Sequence, residues 1–173
     1  MWKQKKTSIY YQKIKNKIFF IKKKDLFFLK KNKNLKNGKG RICVHTSPKA
    51  KIHEMIVFHK KGAYVRPHKH LNRLESFHII KGNVTLILFD DYGKPIRKIE
   101  MGDYSSGKVF YYKIQKSYFH TQLINKDTIF KEVTTGPFNT KNSLSAKWSP
   151  ENKNTKKIKE YINNLRKKTN KLH

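Results

Sequence analysis

The stretch GAYVRPHKHLNRLESFHIIKG, residues 62–82, decides the fold and the site predicted for this chain. Side chains two positions apart on an extended strand point to the same face, so His68 and His70 lie close together. Glu75 begins the next strand and can bring a carboxylate oxygen toward the same pocket. The pattern therefore predicts a metal site, with a carboxylate from the neighbouring strand and a third imidazole, best supplied by His120, from across the sheet.

Short β-like runs separated by turn residues extend from Arg41 to about Glu132, which is typical of an all-β sandwich or barrel. A tight turn is expected at residues 81–83 and a hairpin connection at residues 91–95. The predicted strands are residues 53–58, 75–80, 84–89, 96–101, 109–114, 118–124 and 128–133.

Residues 1–38 are predicted to form a basic extension before this barrel. Lysine clusters alternate there with short apolar clusters, which favours an amphipathic helix. Such a helix packs on the outside of the domain or, alternatively, makes peripheral contact with an anionic membrane. The apolar residues at helical spacing are Tyr10, Ile14, Ile18 and Ile21.

The barrel is predicted over residues 39–150, and residues 151–173 form a second basic extension. Ile158, Ile162 and Leu165 recur at helical spacing in this last segment, so we expect a polar terminal helix or a frayed tail.

Residues 62–82 carry the spacing G-x5-H-x-H-x4-E-x6-G and so resemble the first sequence motif of the cupin superfamily, with a match at every fixed position. The second cupin motif is weaker. His120 stands where its metal-ligand histidine belongs, but Gln115 and Ser117 occupy positions where proline and glycine are usual. The resemblance implies an all-β cupin fold, a double-stranded β-helix or jelly-roll barrel, with short helical extensions at both ends.

Further segments resemble the WbuC-type cupin metalloproteins, which are found with bacterial surface-polysaccharide genes. The resemblance covers about residues 41–151 and implies a fold and a metal site more firmly than a reaction. The matching segments are residues 41–45, 54–55, 64–70, 75–78, 88–90, 132, 136–138 and 148–150.

The predicted ligands His68, His70, Glu75 and His120 suit one divalent ion, either Fe, Mn, Co, Ni or Zn, because they combine imidazole nitrogens with a carboxylate oxygen. Glu132 is the candidate catalytic acid or base, since burial of a carboxylate raises its pKa. The candidate substrate contacts are Arg41, His45, Tyr64 and Arg66.

The formal net charge of +30 would ordinarily point toward nucleic acid or an anionic membrane. Codon bias of an AT-rich genome explains more of this charge, because lysine, asparagine, isoleucine, tyrosine and phenylalanine are all abundant.

The single cysteine, Cys43, excludes an intrachain disulfide and fits the cytoplasm. The longest apolar runs near the N-terminus are too short to span a membrane.

Three functions follow as hypotheses. The first is a metal-dependent enzyme, an isomerase or epimerase or an Fe(II) oxygenase, acting on a sugar or sugar nucleotide in surface-polysaccharide synthesis. The second is a non-catalytic metal- or ligand-binding cupin, and the third is a basic nucleic-acid-binding protein. The expected partner is a small-molecule ligand, and a homodimer is an alternative. Nucleic acid is the least favoured partner because no nucleic-acid-binding motif is present.

Overall fold

The computed structural model of the chain describes residues 2–6, 9–12, 18–31, 35–114 and 118–172. Within these residues it contains twelve strands and two α-helices. The helices are α1 (Lys23–Lys31) and α2 (Thr155–Thr169). The strands are β1 (Trp2–Lys6), β2 (Ile9–Gln12), β3 (Lys39–Cys43), β4 (Ile52–His59), β5 (His68–His70), β6 (Glu75–Lys81), β7 (Asn83–Phe89), β8 (Pro95–Gly102), β9 (Tyr111–Ile114), β10 (Phe119–Ile124), β11 (Thr128–Thr135) and β12 (Ser143–Ser145).

The strands form two sheets, of orders β1-β2-β3-β4-β11-β6-β9 and β12-β5-β10-β7-β8. Strands that follow one another in sequence often belong to different sheets, as β5, β6 and β7 do. Every pairing between two of these strands is antiparallel except that of β2 with β3. This double-sheet arrangement is that of a jelly roll and confirms the predicted all-β architecture.

The core lies between the two sheets, where apolar side chains of alternate strand positions meet. Strand β6 shows the alternation most clearly, because Phe77 and Ile79 are buried and His78 and Ile80 are exposed. All six residues of β10 are buried, since this strand lies inside its sheet between β5 and β7. The core cluster includes Met55, Val57, Phe77, Leu86 and Phe130.

Both predicted turns are present. Gly82 joins β6 to β7 with a φ of +118°, a conformation that favours glycine because it has no Cβ. Asp90 stabilises the connection between β7 and β8, where its Oδ1 accepts hydrogen bonds from the backbone N–H groups of Tyr92 (3.0 Å) and Lys94 (2.9 Å).

The predicted N-terminal helix is wrong at Tyr10. Tyr10 lies in β2 opposite Ile42 of β3 and is buried, because the parallel β2–β3 pairing supplies its backbone hydrogen bonds and a tertiary apolar cluster covers its ring. Ile14 lies outside the described residues, and Ile18 and Ile21 precede helix α1. Helical spacing of apolar residues was a weaker determinant here than pairing with a distant strand.

Of the two alternatives predicted for the C-terminal segment, a helix or a frayed tail, the structure contains the helix, α2. Asn154 caps it, with its Oδ1 accepting from the backbone N–H of Lys157 at 3.0 Å. Leu165 is buried against β7 and β10 residues, so the helix packs on the barrel. Within the described part of the chain, no helix combines the length and hydrophobicity needed to cross a membrane.

Candidate metal centre

The structure brings together the four residues predicted as metal ligands. His68 and His70 lie on β5, Glu75 begins β6, and His120 lies on β10. One ligand atom of each side chain lies within 4.8 Å of the ligand atoms of the others. The four side chains therefore converge on a volume that a single ion can occupy.

The strands that supply these side chains differ from the sequence-based expectation. His120 is paired directly with His68 across the β10–β5 ladder, so the three histidines share one sheet. Glu75 belongs to the opposite sheet. The chain changes sheets within the short loop after β5, where Asn72 adopts a left-handed φ of +55° that asparagine tolerates. The prediction placed Glu75 on the strand next to the two histidines and His120 across from them. In the structure, His120 lies on the neighbouring strand and Glu75 on the opposite sheet.

Backbone carbonyl groups set the tautomers of two histidines. Nδ1 of His68 lies 2.8 Å from the carbonyl oxygen of Arg66, and Nδ1 of His120 lies 3.0 Å from that of Tyr118. A carbonyl oxygen can only accept, so each Nδ1 carries the hydrogen. Both Nε2 atoms then present a lone pair to the centre of the cluster, as metal-ligating histidines do.

The contacts of Glu75 fit a cation at this point. Its Oε1 lies 3.2 Å from Nε2 of His70, and its Oε2 lies 3.0 Å from Nε2 of His120. Oε2 of Glu75 and Nε2 of His120 have no hydrogen bond of acceptable geometry to any described residue. Two buried acceptor atoms facing each other repel unless a proton or a metal ion lies between them. The donor set of three imidazoles and one carboxylate suits a divalent metal ion.

Electrostatics favours a neutral His68 and an ionised Glu75, whereas His120 would have to release a proton when a metal ion binds. Burial lowers the pKa of His68 to about 3, so its imidazole is neutral. Burial opposes ionisation of Glu75, but the contacts of His120 and His70 outweigh it and hold the pKa of that carboxyl below its usual value. Burial likewise opposes the charged form of His120, yet the adjacent Glu75 raises its pKa. The carboxylate is ionised and His68 has a free lone pair.

A cavity of about 270 Å³ opens beside the four residues and lies between the two sheets. Two of the other predicted site residues, Arg41 and Glu132, line it. It is also lined by polar residues that the sequence analysis missed, among them Lys39, His53, His59, Arg73, Gln122 and Thr134. Alternation along each strand was a usable signal for several of them, because Lys39 shares a face with Arg41 and Thr134 shares one with Glu132.

The other three predicted substrate contacts are not among the cavity-lining residues. The His45 ring stacks on His53 at 4.1 Å, and the Tyr64 hydroxyl donates to the Pro150 carbonyl at 2.9 Å. Arg66 donates from Nε to Oγ of Ser149 at 3.2 Å and from Nη2 to the Ala146 carbonyl at 3.1 Å. Tyr64 and Arg66 therefore fasten the segment between β12 and α2 to the barrel.

Glu132 should make the metal-free protein less stable as the pH rises. Burial, with the nearby Glu75 carboxylate, raises the pKa of Glu132 from 4.5 to about 7. Between these values the folded state holds a proton that the unfolded state has released, so this group's contribution to stability falls as pH increases. Glu132→Gln lacks this titration. We expect the free energy of unfolding of the variant, relative to wild type, to increase from about pH 5 to about pH 8. Urea denaturation in the presence of a chelator measures it, and a pH-independent difference would contradict the assignment.

Comparison with known proteins gives one partial family match. Residues 30–101 match the family described as a domain of unknown function, DUF6016. No curated protein matches the chain. The resemblance to WbuC-type cupins has no counterpart among these matches and stays a prediction.

Several solved structures are similar to this chain at low sequence identity. The capsular polysaccharide assembling protein CapF from Staphylococcus aureus is 14% identical over 64% of this chain and 32% of its own, with a TM-score of 0.50. Oxalate decarboxylase from Bacillus subtilis is 18% identical over 64% of this chain and 28% of its own, with a TM-score of 0.49. KdgF from Halomonas is 18% identical over 62% of this chain and 86% of its own, with a TM-score of 0.44.

The chain spans only about a third of the length of CapF and of oxalate decarboxylase. The similarity to CapF therefore bears on the fold and not on activity. Together with the two-sheet topology, it shows that this chain is an all-β protein with the cupin jelly-roll fold.

Proposed function

We propose that this protein is a metal-binding cupin that holds one divalent ion through His68, His70, Glu75 and His120. The observation that carries the proposal is the contact between His120 and Glu75. Nε2 of His120 lies 3.0 Å from Oε2 of Glu75 and both atoms are buried, so a proton or a metal ion must lie between them. The convergence of His68 and His70 on the same point favours the metal ion. The bound ion would be Fe, Mn, Co, Ni or Zn, since all accept this mixture of ligands.

The small molecule that binds beside the metal centre is a sugar of the kind used in bacterial surface-polysaccharide synthesis. The resemblance of residues 41–151 to WbuC-type cupins supports this substrate class. The size of the cavity narrows this substrate class further. Pockets for drug-sized ligands measure about 300–1,000 Å³, so a cavity of about 270 Å³ favours a single sugar unit over a complete nucleotide sugar.

Chemistry at this site would combine the ion with Glu132. A divalent ion bound there supplies a Lewis acid for a carbonyl or hydroxyl oxygen. Glu132 lines the same cavity on β11, and its raised pKa lets it accept or release a proton near neutral pH. Proton transfer beside a polarised oxygen is the step needed for isomerisation or epimerisation of a sugar. The Fe(II) oxygenase alternative would instead require an open coordination face for O2.

A non-catalytic cupin that binds metal and ligand without turnover is the second candidate. It uses the same four residues and the same cavity. It differs in one measurable respect, because a bound sugar would leave the protein unchanged. Product analysis by NMR after prolonged incubation with metal-loaded protein separates the two candidates.

A thermal-shift screen of monosaccharides, sugar acids, sugar phosphates and nucleotide sugars tests the proposed ligand class. A ligand present at 100 times its dissociation constant stabilises the folded state by about 2.7 kcal/mol, and each kcal/mol raises Tm by roughly 2–4 °C at this chain length. We therefore expect a rise of about 5 °C or more for a cognate sugar on metal-loaded protein. The matched control is the same protein after chelation. Equal shifts with and without metal, or none from any sugar, would contradict the proposal.

A further inference from the structure

Three cationic side chains line the cavity beside the candidate metal centre: Lys39, Arg41 and Arg73. Among the described residues, two acidic ones line it, Glu75 and Glu132. Glu75 contacts His70 and His120 of the cluster, where its charge would balance a bound ion. The remainder of the cavity wall therefore carries an excess of positive charge before any metal ion is counted, and a divalent ion adds to it.

None of these three cations forms an ion pair with a described residue. Within the described residues, no carboxylate oxygen lies within ion-pair distance of Lys39, Arg41 or Arg73. Lys39 Nζ donates to the carbonyl oxygen of Tyr64 at 3.0 Å, and Arg41 Nη1 donates to the weak acceptor Sδ of Met55 at 3.6 Å. Arg73 donates to the Thr135 carbonyl (2.9 Å) and to Oγ1 of Thr134 (2.6 Å). A part-buried cation with only neutral or weak partners retains strong attraction for an anion.

Lys39 and Arg41 act together. They are two residues apart on β3, so their side chains share the inner face of the strand. Both also line a second cavity of about 180 Å³ that adjoins β2 and β3. Burial and the neighbouring charge of Arg41 lower the pKa of Lys39, which fits two cations held close together. An anionic group placed between them would relieve their repulsion.

The strand register places Arg41 at a distance from the metal ligand Glu75, and Glu132 lies between these two residues. Glu75 is opposite Thr134 of β11, and Glu132 comes two residues before Thr134 on the same inner face. Arg41 is opposite Val57 of β4, which is itself opposite Phe130, two residues further along β11. The order across the sheet is therefore Glu75, then Glu132, then Arg41. A ligand that reaches from the metal to Arg41 must pass beside Glu132.

We propose that the cavity takes a small ligand carrying an anionic group, a carboxylate or a phosphate, which Lys39 and Arg41 hold while a second oxygen of the ligand faces the four metal-ligating residues. This inference rests on the proposed function and narrows its substrate class to sugar acids and sugar phosphates. Arg41 supplies a planar fork of donors that matches a carboxylate or a phosphate, and Lys39 supplies a point charge beside it. Both are positioning residues that leave Glu132 next to the middle of the ligand.

The test is calorimetric titration of metal-loaded protein with malonate and, separately, with inorganic phosphate. We expect both anions to bind, with malonate at least tenfold tighter than its neutral counterpart malonamide. Arg41→Gln and Lys39→Gln should each weaken anion binding at least tenfold. Arg97→Gln is the matched control. Arg97 is exposed on β8, so this substitution removes the same charge from the surface and leaves the cavity unchanged. A difference between malonate and phosphate identifies which acid the site prefers.

The outcomes separate this inference from the metal assignment. Metal content is measured on every sample, and Lys39→Gln and Arg41→Gln should retain the wild-type metal content. The inference is overturned if neither anion binds at about 10 mM, if malonamide equals malonate, or if Arg97→Gln weakens binding as much as Arg41→Gln, which would indicate a non-specific effect of the surface charge. A wild-type protein without metal would refute the proposed function, while the anion titration would still report on Lys39 and Arg41.

Discussion

Replacing both β5 histidines, His68→Ala with His70→Ala, should lower the metal content of purified, untagged protein from about one equivalent to less than about a tenth. The substitution removes two of four ligands and leaves one imidazole and one carboxylate, which hold a divalent ion poorly at the concentrations present in cells. Elemental analysis by mass spectrometry measures the result. The loss should also appear as a lower Tm, since an ion that binds only the folded state stabilises it.

His78→Ala is the matched control, because His78 lies on β6 in the same motif but is exposed on the opposite face from Glu75. It should keep the wild-type metal content. A second control treats wild-type protein with chelator, which should reproduce the Tm of the double variant. If the double variant retained a full equivalent of metal, the ligand assignment would be refuted.

Gly82→Ala should destabilise the protein severely, by about 3 kcal/mol or more, because positive φ and steric overlap act together. The φ of Gly82 is +118°, and a Cβ added there would lie 2.6 Å from the Asp127 carbonyl oxygen and 2.7 Å from Cα of Thr128. Both are backbone atoms at the start of β11, of which Thr128 is the first residue, so they cannot move without disturbing the pairing of that strand. Urea denaturation followed by circular dichroism gives the free energy of unfolding.

Gly62→Ala provides the comparison, since Gly62 is the other glycine of the same motif. Its φ is +75°, but nothing lies within 4 Å of an added Cβ. The expected cost is about 1–2 kcal/mol from backbone conformation alone. Equal destabilisation by the two substitutions would show that the contacts around Gly82 do not matter and that conformation explains both.

Much of the candidate site could be predicted from the sequence because its geometry is local. The positions of His68 and His70 on one face follow from strand alternation, and the turn at Gly82 follows from its neighbouring strands. The spacing to Glu75 and the later His120 matched a known motif. All four side chains converge as expected.

Other site residues depended on contacts between distant strands. Arg41 and Arg66 are both arginines next to β-like runs, and nothing local distinguishes them. The structure places Arg41 in the cavity and uses Arg66 to hold Ser149, which lies 83 positions away in sequence. Lys39 alternates with Arg41 on β3, but its place in the cavity depends on how the two sheets face each other. Arg73 was missed although it lies between His70 and Glu75 in the motif.

The sequence by itself determined the β-rich architecture, the jelly-roll type and the identity of the four candidate ligands, because strand alternation and motif spacing are properties of neighbouring residues. Only the tertiary structure decided that Tyr10 belongs to a strand, that Glu75 approaches the histidines from the opposite sheet, and that three cations share the cavity. Those features arise from strand pairing over long sequence separations. Such pairing is selected by burial of the whole apolar surface and not by any local pattern.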